Sequence, residues 1–258
     1  MSELAGADDS GGYCVETGCV FLFHVTTPHE EPCMRFHLKA YISPALLFLL
    51  GTITVAFGAL QMRLLQQGDV GTQSAMASAH YLSMPFPIVV HIIAGSLFNL
   101  LMPLQFVSLL RERLPRFHRC LGRCLVVCAL AFGLSALWMN SVYPQYGGSA
   151  KYWGILAHCC VLIGSLVLAV MAIRKKQVER HKVWMMRMTA AALSPATQRL
   201  FFVPAVMVFG ESIVTDVVIG GVIWFGLIVN LAFVEYLLFR SGGSEQRPCR
   251  GAIPAELS

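Results

Sequence analysis

Six long apolar segments run through this 258-residue chain and limit it to a small set of folds. Each is long enough to cross the roughly 30 Å hydrocarbon core of a bilayer, which takes about 20 helical residues. Membrane-spanning strands would instead be alternating segments of about ten residues. We therefore predict an all-α membrane protein, a bundle of six transmembrane helices. The segments run from about Tyr41 to Met62, Phe86 to Leu110, Leu121 to Tyr143, Tyr152 to Ile173, Trp184 to Phe209 and Val217 to Phe239.

The cationic residues predict the orientation of this multi-pass integral membrane protein. Two loops, Arg111 to Arg123 and Arg174 to Arg187, hold 11 of the 19 lysines and arginines and are called the basic loops below. The positive-inside rule places these loops and both termini in the cytoplasm. The loops are also expected to contact anionic lipid headgroups. The net charge of +5 therefore needs no nucleic-acid partner to explain it.

The ends of the chain differ in composition from the apolar middle. Residues 1–40 are polar and mixed in charge, and they lack the basic, apolar and small-residue pattern of a cleaved leader. Residues 240–258 are also polar. We predict disordered tails at 1–40 and 240–258 around a six-helix domain at 41–239.

Four histidines carry the main functional signal, because histidine is a common metal ligand and ionisable residues are rare in membrane helices. His91 lies five residues after the start of the second apolar segment, and His158 lies six after the start of the fourth. These two are predicted at similar depth. His118 and His181 each lie three residues before an apolar segment, at the opposite level. The four form two candidate pairs of metal ligands.

A haem held by two histidines also needs small residues where the flat ring lies against a helix, and cations for its propionates. Three glycines lie four residues from one of the histidines, hence on the same helix face. They are Gly95, Gly122 and Gly154. The candidate cations are Arg123, Arg187 and the intramembrane Arg199, for which an ion pair with Glu211 is the structural alternative.

The same residues are also compatible with purely structural roles. His91 and His158 also fit hydrogen bonds between helices. His118 and His181 fit interfacial residues that cap helices and bind lipid phosphate. Five intramembrane amides are predicted to form interhelical hydrogen bonds, or to line a polar pathway. They are Asn99, Gln105, Asn140, Gln198 and Asn230.

Three strings of this sequence resemble the polytopic membrane proteins grouped as domain of unknown function 2306. They are HIIAGSLFNLLMPLQF from His91, RFHRCLGR, and RHKVWMMRMTAAALSPATQRL. The resemblance covers about Pro85 to Leu200. It implies a polytopic topology, and that family carries no established activity.

The chain also resembles, more loosely, the di-haem transmembrane cytochromes of the b561 type, through the HRCLG segment from His118 and the placement of the four histidines. In that family helices 2 and 4 supply one axial pair, and helices 3 and 5 supply the other. The resemblance implies ligation by His91 with His158 and by His118 with His181. It further implies one or two haem b groups and a transmembrane oxidoreductase that moves single electrons from a small-molecule donor to an acceptor. The nearness of His118 and His181 to the membrane surface departs from that pattern, and an ascorbate-binding motif is missing.

Two other classes of function fit the same sequence. A small-solute or proton-linked transporter is suggested by the intramembrane polar residues and by the parallel arrangement of the two histidine-bearing hairpins. A cofactor-free scaffold protein would need only the basic loops and their lipid contacts. The electron-transfer chemistry implies no catalytic acid, base or nucleophile.

Overall fold

A computed structural model describes residues 31–67, 80–143 and 147–244, with side chains described at 43–67, 80–143 and 147–240. Six long helices dominate it, and each provides a segment long and apolar enough to cross a membrane. No strand occurs in these described residues. The prediction of an all-α bundle of six transmembrane helices is confirmed. The helices are α1 (Glu31–Gln67), α2 (Phe86–Leu101), α3 (Pro115–Val142), α4 (Gly148–Arg174), α5 (Val178–Phe209) and α6 (Asp216–Ser244).

The two predicted tails fall largely outside the described residues, which omit 1–30 and 245–258. Where the ends are described, they are helical: α1 begins at Glu31 and α6 continues to Ser244. The predicted limits at 41 and 239 therefore mark the apolar part of these two helices and not the ends of the helices themselves.

The first five helices form a closed ring. Each packs against the next in chain order, and α5 returns to contact α1. Helix α6 lies outside the ring, against α4 and α5. Helices joined by short loops pack as neighbours, as expected for a bundle. Closure of the ring places α2 and α4, which are separated by α3, on different sides of a central space.

The chain between α2 and α3 changes its helical form at a proline. Pro103 has no backbone N–H to donate, so α2 ends at Leu101 and the chain continues as a 3-10 turn over Met102–Phe106. A short helix, Ser108–Arg113, then leads to Pro115, the first residue of α3. The second apolar segment of the sequence is therefore three elements and not one helix.

Helix α5 is covered on every side at its middle, because it contacts α1, α4 and α6. All residues from Met188 to Ser194 are buried, without the periodicity of an amphipathic helix. Between helices in lipid the hydrophobic effect gives little attraction, so association depends on close packing and hydrogen bonds. The alanines of this segment allow that close approach. This packing fixes the position of the polar residues that follow the buried segment within α5.

Polar contacts attach α6 to α5 at two levels. The Thr197 hydroxyl donates to the Asn230 amide oxygen at 2.8 Å, and the Asn230 amide nitrogen donates to the Ala190 carbonyl at 3.0 Å. Nearer the basic loops, Arg187 donates to both carboxylate oxygens of Glu235, at 2.6 and 2.9 Å. These bonds fix the position of α6 although it lies outside the ring.

Candidate functional site

A cavity of about 460 Å³ lies inside the ring, in the half of the bundle opposite the basic loops. All six helices contribute to its wall. Its volume is within the roughly 300–1,000 Å³ of small-molecule sites. Much of the wall is apolar, and its polar part brings together residues from five helices. The longer polar side chains are those of Gln61, Tyr81, His91, Asn99, Asn140, Tyr143, Lys151, His158, Gln198 and Arg199.

His91 enters this cavity from α2 with its ring held in place. Its Nδ1 atom lies 3.1 Å from the Phe132 carbonyl oxygen and 3.2 Å from the Ser135 hydroxyl oxygen, both on α3. Since a carbonyl oxygen only accepts, the bond to Phe132 puts the proton on Nδ1. The Phe132 ring also lies against the imidazole, with ring centroids 4.5 Å apart. The Nε2 lone pair is left to act as a ligand or an acceptor, as in histidines that bind metals.

His158 reaches the same cavity from α4. Within the described part of the chain it has no hydrogen-bond partner, although it lies within electrostatic range of His91. Its two ring nitrogens are therefore available to an occupant of the cavity. The structure thus brings to one cavity the two histidines that the sequence predicts at similar depth.

Arg199 also lines the cavity, from α5. Its Nη1 donates to the Pro195 carbonyl at 2.9 Å, and its guanidinium carbon lies 5.0 Å from the centroid of the Phe57 ring. It lies within electrostatic range of His91. The alternative partner, Glu211, is exposed in a short 3-10 helix. Among the described residues, the structure shows no ion pair between them.

The predicted glycines lie in three different settings. Gly95 lines the cavity, and a Cβ there would come within 2.9 Å of the Phe132 ring, so Phe132 already covers this face. Gly154 lies against α6: its Cβ would come within 2.9 Å of Ile223. Gly122 lies far from the cavity, beside the Gln105 side chain. Of the three, only Gly95 is on the cavity wall.

The second predicted pair lies at the basic loops, with His118 in the first turn of α3 and His181 in the first turn of α5. The two histidines are within electrostatic range of each other. His181 Nδ1 donates to the Ala169 carbonyl at 3.0 Å, the same kind of anchor that His91 has. His118 Nδ1 is buried and has no partner among the described residues. The pair is therefore asymmetric, because only one member has its ring fixed for ligation through Nε2.

The two remaining predicted cations do not reach the cavity. Arg123 is exposed on α3. Arg187 is engaged by Glu235, and its guanidinium carbon lies 4.5 Å from the centroid of the Trp184 ring. Both residues lie on the half of the bundle that carries the basic loops, so neither contacts His91 or His158.

The mouth of the cavity contains two residues that the sequence did not single out. The Tyr143 hydroxyl donates to the Met84 carbonyl at 2.6 Å, and the ring packs edge-on against Tyr81 with centroids 4.9 Å apart. Burial raises the pKa of the Tyr143 phenol, so it stays protonated and remains a donor at neutral pH. Lys151, at the start of α4, lies within electrostatic range of Asp216. Tyr143 and Lys151 lie at the ends of apolar segments. The position of such residues depends on the loops between helices, which the sequence does not predict.

Asn99 provides a further polar group in the cavity wall. Its amide nitrogen donates to the Gly95 carbonyl at 2.8 Å within α2. Its amide oxygen is buried and has no hydrogen-bond partner among the described residues. A buried acceptor without a partner is destabilising by about 1–3 kcal/mol.

Metal binding by a cluster of side chains is not supported in the described residues, which contain no group of three or more His, Cys, Asp or Glu placed to hold an ion. Two histidines on either side of a haem do not need such a group, because the macrocycle supplies the other ligands. The cavity is therefore a candidate site for ligation by two imidazoles and not for a metal ion held by side chains alone.

The six helices define a multi-pass α-helical membrane protein with a cavity among its helices. The chain belongs to the family described as Predicted membrane protein (DUF2306), whose model matches residues 88–238. Neither a curated protein nor a solved structure matches the chain. The predicted membership of the domain of unknown function 2306 family is confirmed, whereas the b561 resemblance receives no support from these comparisons.

Proposed function

We propose that this protein binds one haem b in the cavity, where His91 and His158 would hold its iron, and that it takes part in transmembrane electron transfer as an oxidoreductase. The observation that carries this proposal is that the two histidines line one cavity from α2 and α4. The His91 ring is moreover held by Phe132 in the tautomer that leaves Nε2 free. When bound, haem b supplies one-electron redox chemistry.

The residues around the histidines have separate tasks in this proposal. Phe132 and Ser135 orient the His91 ring, and the apolar part of the wall excludes water. Arg199 places a positive charge within electrostatic range of His91, which favours the more negative, reduced state of a bound group. The electron donor and acceptor are small molecules in this proposal, and the basic loops face anionic lipid in the cytoplasmic leaflet.

The proposal is limited to one haem because the two histidine pairs differ in their surroundings. Each pair has one histidine whose Nδ1 is anchored to a backbone carbonyl, His91 or His181, and one without that anchor among the described residues. Second-shell bonds of this kind fix ligand orientation and raise ligand basicity. The difference is that His91 and His158 line the described cavity, whereas His118 and His181 are not on its wall. The outer pair, His91 and His158, is therefore the better supported haem site.

Absorption spectroscopy of the full-length protein, purified after expression with added haem, tests this function. We expect an intense violet band that sharpens on reduction and has the low-spin form given by two histidines. His91→Ala and His158→Ala should each abolish the low-spin spectrum, and free imidazole should restore it in part. His80→Ala is the matched control, because His80 is outside the cavity wall. A wild-type protein without the band, or unchanged spectra in both cavity variants, would refute the assignment.

A second candidate function, binding and transport of a small solute, is favoured by the polar residues in the same cavity. Asn99, Gln198 and Arg199 all lie on its wall and within the membrane-spanning helices. Liposomes containing the full-length protein would test it by solute flux. Flux that is lost in Arg199→Ala and is independent of added haem would favour transport over electron transfer.

A further inference from the structure

Arg199 is a positive charge inside a membrane protein, and no carboxylate of the described residues forms an ion pair with it. Among the residues that the structure describes, the ion pairs join Lys182 to Glu179 and Arg187 to Glu235. Arg199 instead uses one N–H for the Pro195 carbonyl and lies over the Phe57 ring. A carbonyl and an aromatic face are weak compensation for an arginine at this depth, where charges are expensive and are usually paired.

The rest of the cavity has the same electrostatic character. The described residues on its wall include the cationic side chains of Arg199 and Lys151, and they include no aspartate or glutamate. Lys151 has Asp216 within electrostatic range, whereas Asp216 is not part of the wall. A cavity lined by cationic groups and by no acidic ones attracts an anion.

The shape of the Arg199 guanidinium group favours one chemical class of anion. The guanidinium carries five N–H donors in a planar fork, and only one donor is used by a hydrogen bond among the described residues. This fork matches the two oxygens of a carboxylate. Neighbouring Gln198 also lines the cavity and bonds to the Ser194 hydroxyl through its amide nitrogen. Donors therefore cluster at this position on α5.

We propose that the occupant of this cavity carries a carboxylate that pairs with Arg199 inside the membrane. Where the occupant is haem b, the carboxylate is a propionate, and in this form the inference rests on the proposed function. The same chemistry applies to a free organic acid in a cavity without haem. The two sources are separated by the experiments below.

The first experiment compares haem with haem dimethyl ester, in which both propionates are esterified, by absorption titration of full-length protein prepared without haem. The wild type is expected to bind haem about tenfold or more tightly than the ester. Arg199→Gln should remove this preference, and Arg199→Lys should retain part of it. Arg187→Gln is the matched control, an arginine on the same helix that lies outside the cavity wall, and it should keep the wild-type preference.

The second experiment replaces haem by 1-naphthoate and its uncharged counterpart 1-naphthamide, with thermal unfolding of the full-length protein as the readout. A larger stabilisation by naphthoate that is lost in Arg199→Gln supports the free-acid source even if haem does not bind. Haem binding without an Arg199-dependent preference overturns the carboxylate inference and leaves the haem assignment intact. Absence of such a preference in both experiments overturns it for either source.

Discussion

The Nδ1 atom of His91 lies 3.1 Å from the carbonyl oxygen of Phe132, a residue 41 positions later on the adjoining helix. The Ser135 hydroxyl donates to the same carbonyl at 3.0 Å and lies 3.2 Å from Nδ1. The imidazole is thus fixed by a backbone group and a side chain from the next turn of α3. This arrangement sets the tautomer of His91 before any occupant is bound.

Removal of the Ser135 hydroxyl is expected to weaken the orientation of His91 without removing the ligand. For Ser135→Ala we expect haem to bind about tenfold more weakly, since second-shell partners contribute about 10–100-fold to metal affinity. The electron paramagnetic resonance signal of the ferric state should also broaden. Haem titration and that spectrum are the measurements.

Ser141→Ala is the control for this variant, because the Ser141 hydroxyl is exposed and bonds only to the Leu137 carbonyl of its own helix. It should bind haem like the wild type. Equal effects in Ser135→Ala and Ser141→Ala would contradict a positioning role for Ser135.

Gly95 is expected to tolerate no side chain, because Phe132 covers the space that a Cβ would need. In Gly95→Ala the added carbon would come within 2.9 Å of the Phe132 ring, which in turn packs against His91. Overpacking of this kind typically destabilises a core by about 1–3 kcal/mol. We expect a lower unfolding temperature together with weaker haem binding, measured by thermal unfolding and by absorption.

Gly164→Ala provides the comparison on α4. An added Cβ at Gly164 would have no atom within 4 Å among the described residues, so this variant should be neutral or slightly more stable. A Gly95→Ala protein as stable as Gly164→Ala would show that the Phe132 ring moves aside freely.

Hydropathy and depth are sufficient to predict the six spanning segments and to group the four histidines into two pairs by level. The length of each apolar segment determines whether it spans a bilayer, and this property is local to the sequence. The position of a residue along its helix also gives its depth, which places His91 and His158 at one level. Both line one cavity.

Contacts between helices cannot be predicted in this way. Gly154 lies four residues before His158, which is close to one full turn, yet it packs against Ile223 on α6. The sequence does not show that α6 lies outside the ring against α4. It likewise suggests a propionate as the partner of Arg187, whereas Glu235, 48 residues later, binds this arginine.

The hydrogen-bond partners of the intramembrane amides are also only partly predictable from the sequence. Asn140, Gln105 and Asn230 reach carbonyl or side-chain groups of other elements, as predicted. Asn99 and Gln198 bond within their own helices, and both residues line the cavity. An amide in an apolar segment predicts a hydrogen bond, and only the rotation of the helix decides which partner it finds.

Asn230 is expected to contribute to stability through its two bonds to α5. Asn230→Leu would leave the Ala190 carbonyl and the Thr197 hydroxyl without this partner. Interhelical hydrogen bonds in membranes are each worth about 0.6 kcal/mol and at most about 1.7 kcal/mol. We expect a loss of about 1 kcal/mol in the free energy of unfolding, measured by titration with denaturing detergent.

Thr52→Ala is a suitable control for the Asn230 variant, since its hydroxyl bonds only to the Leu49 carbonyl of α1. It should change the unfolding free energy by much less. If Asn230→Leu is as stable as the wild type, the attachment of α6 depends on packing alone.

The last prediction concerns the ion pair between Arg187 and Glu235. Its two charge-assisted bonds of 2.6 and 2.9 Å have bidentate geometry, but both side chains are partly exposed, at 26% and 51%. Partial exposure screens the attraction, so we expect a coupling energy of about 0.5–1 kcal/mol in a double-mutant cycle of Arg187→Gln and Glu235→Gln. The coupling should decrease at high salt. Additive effects of the two substitutions would show that α5 and α6 are held together at this level by packing, and that the pair adds no stability of its own.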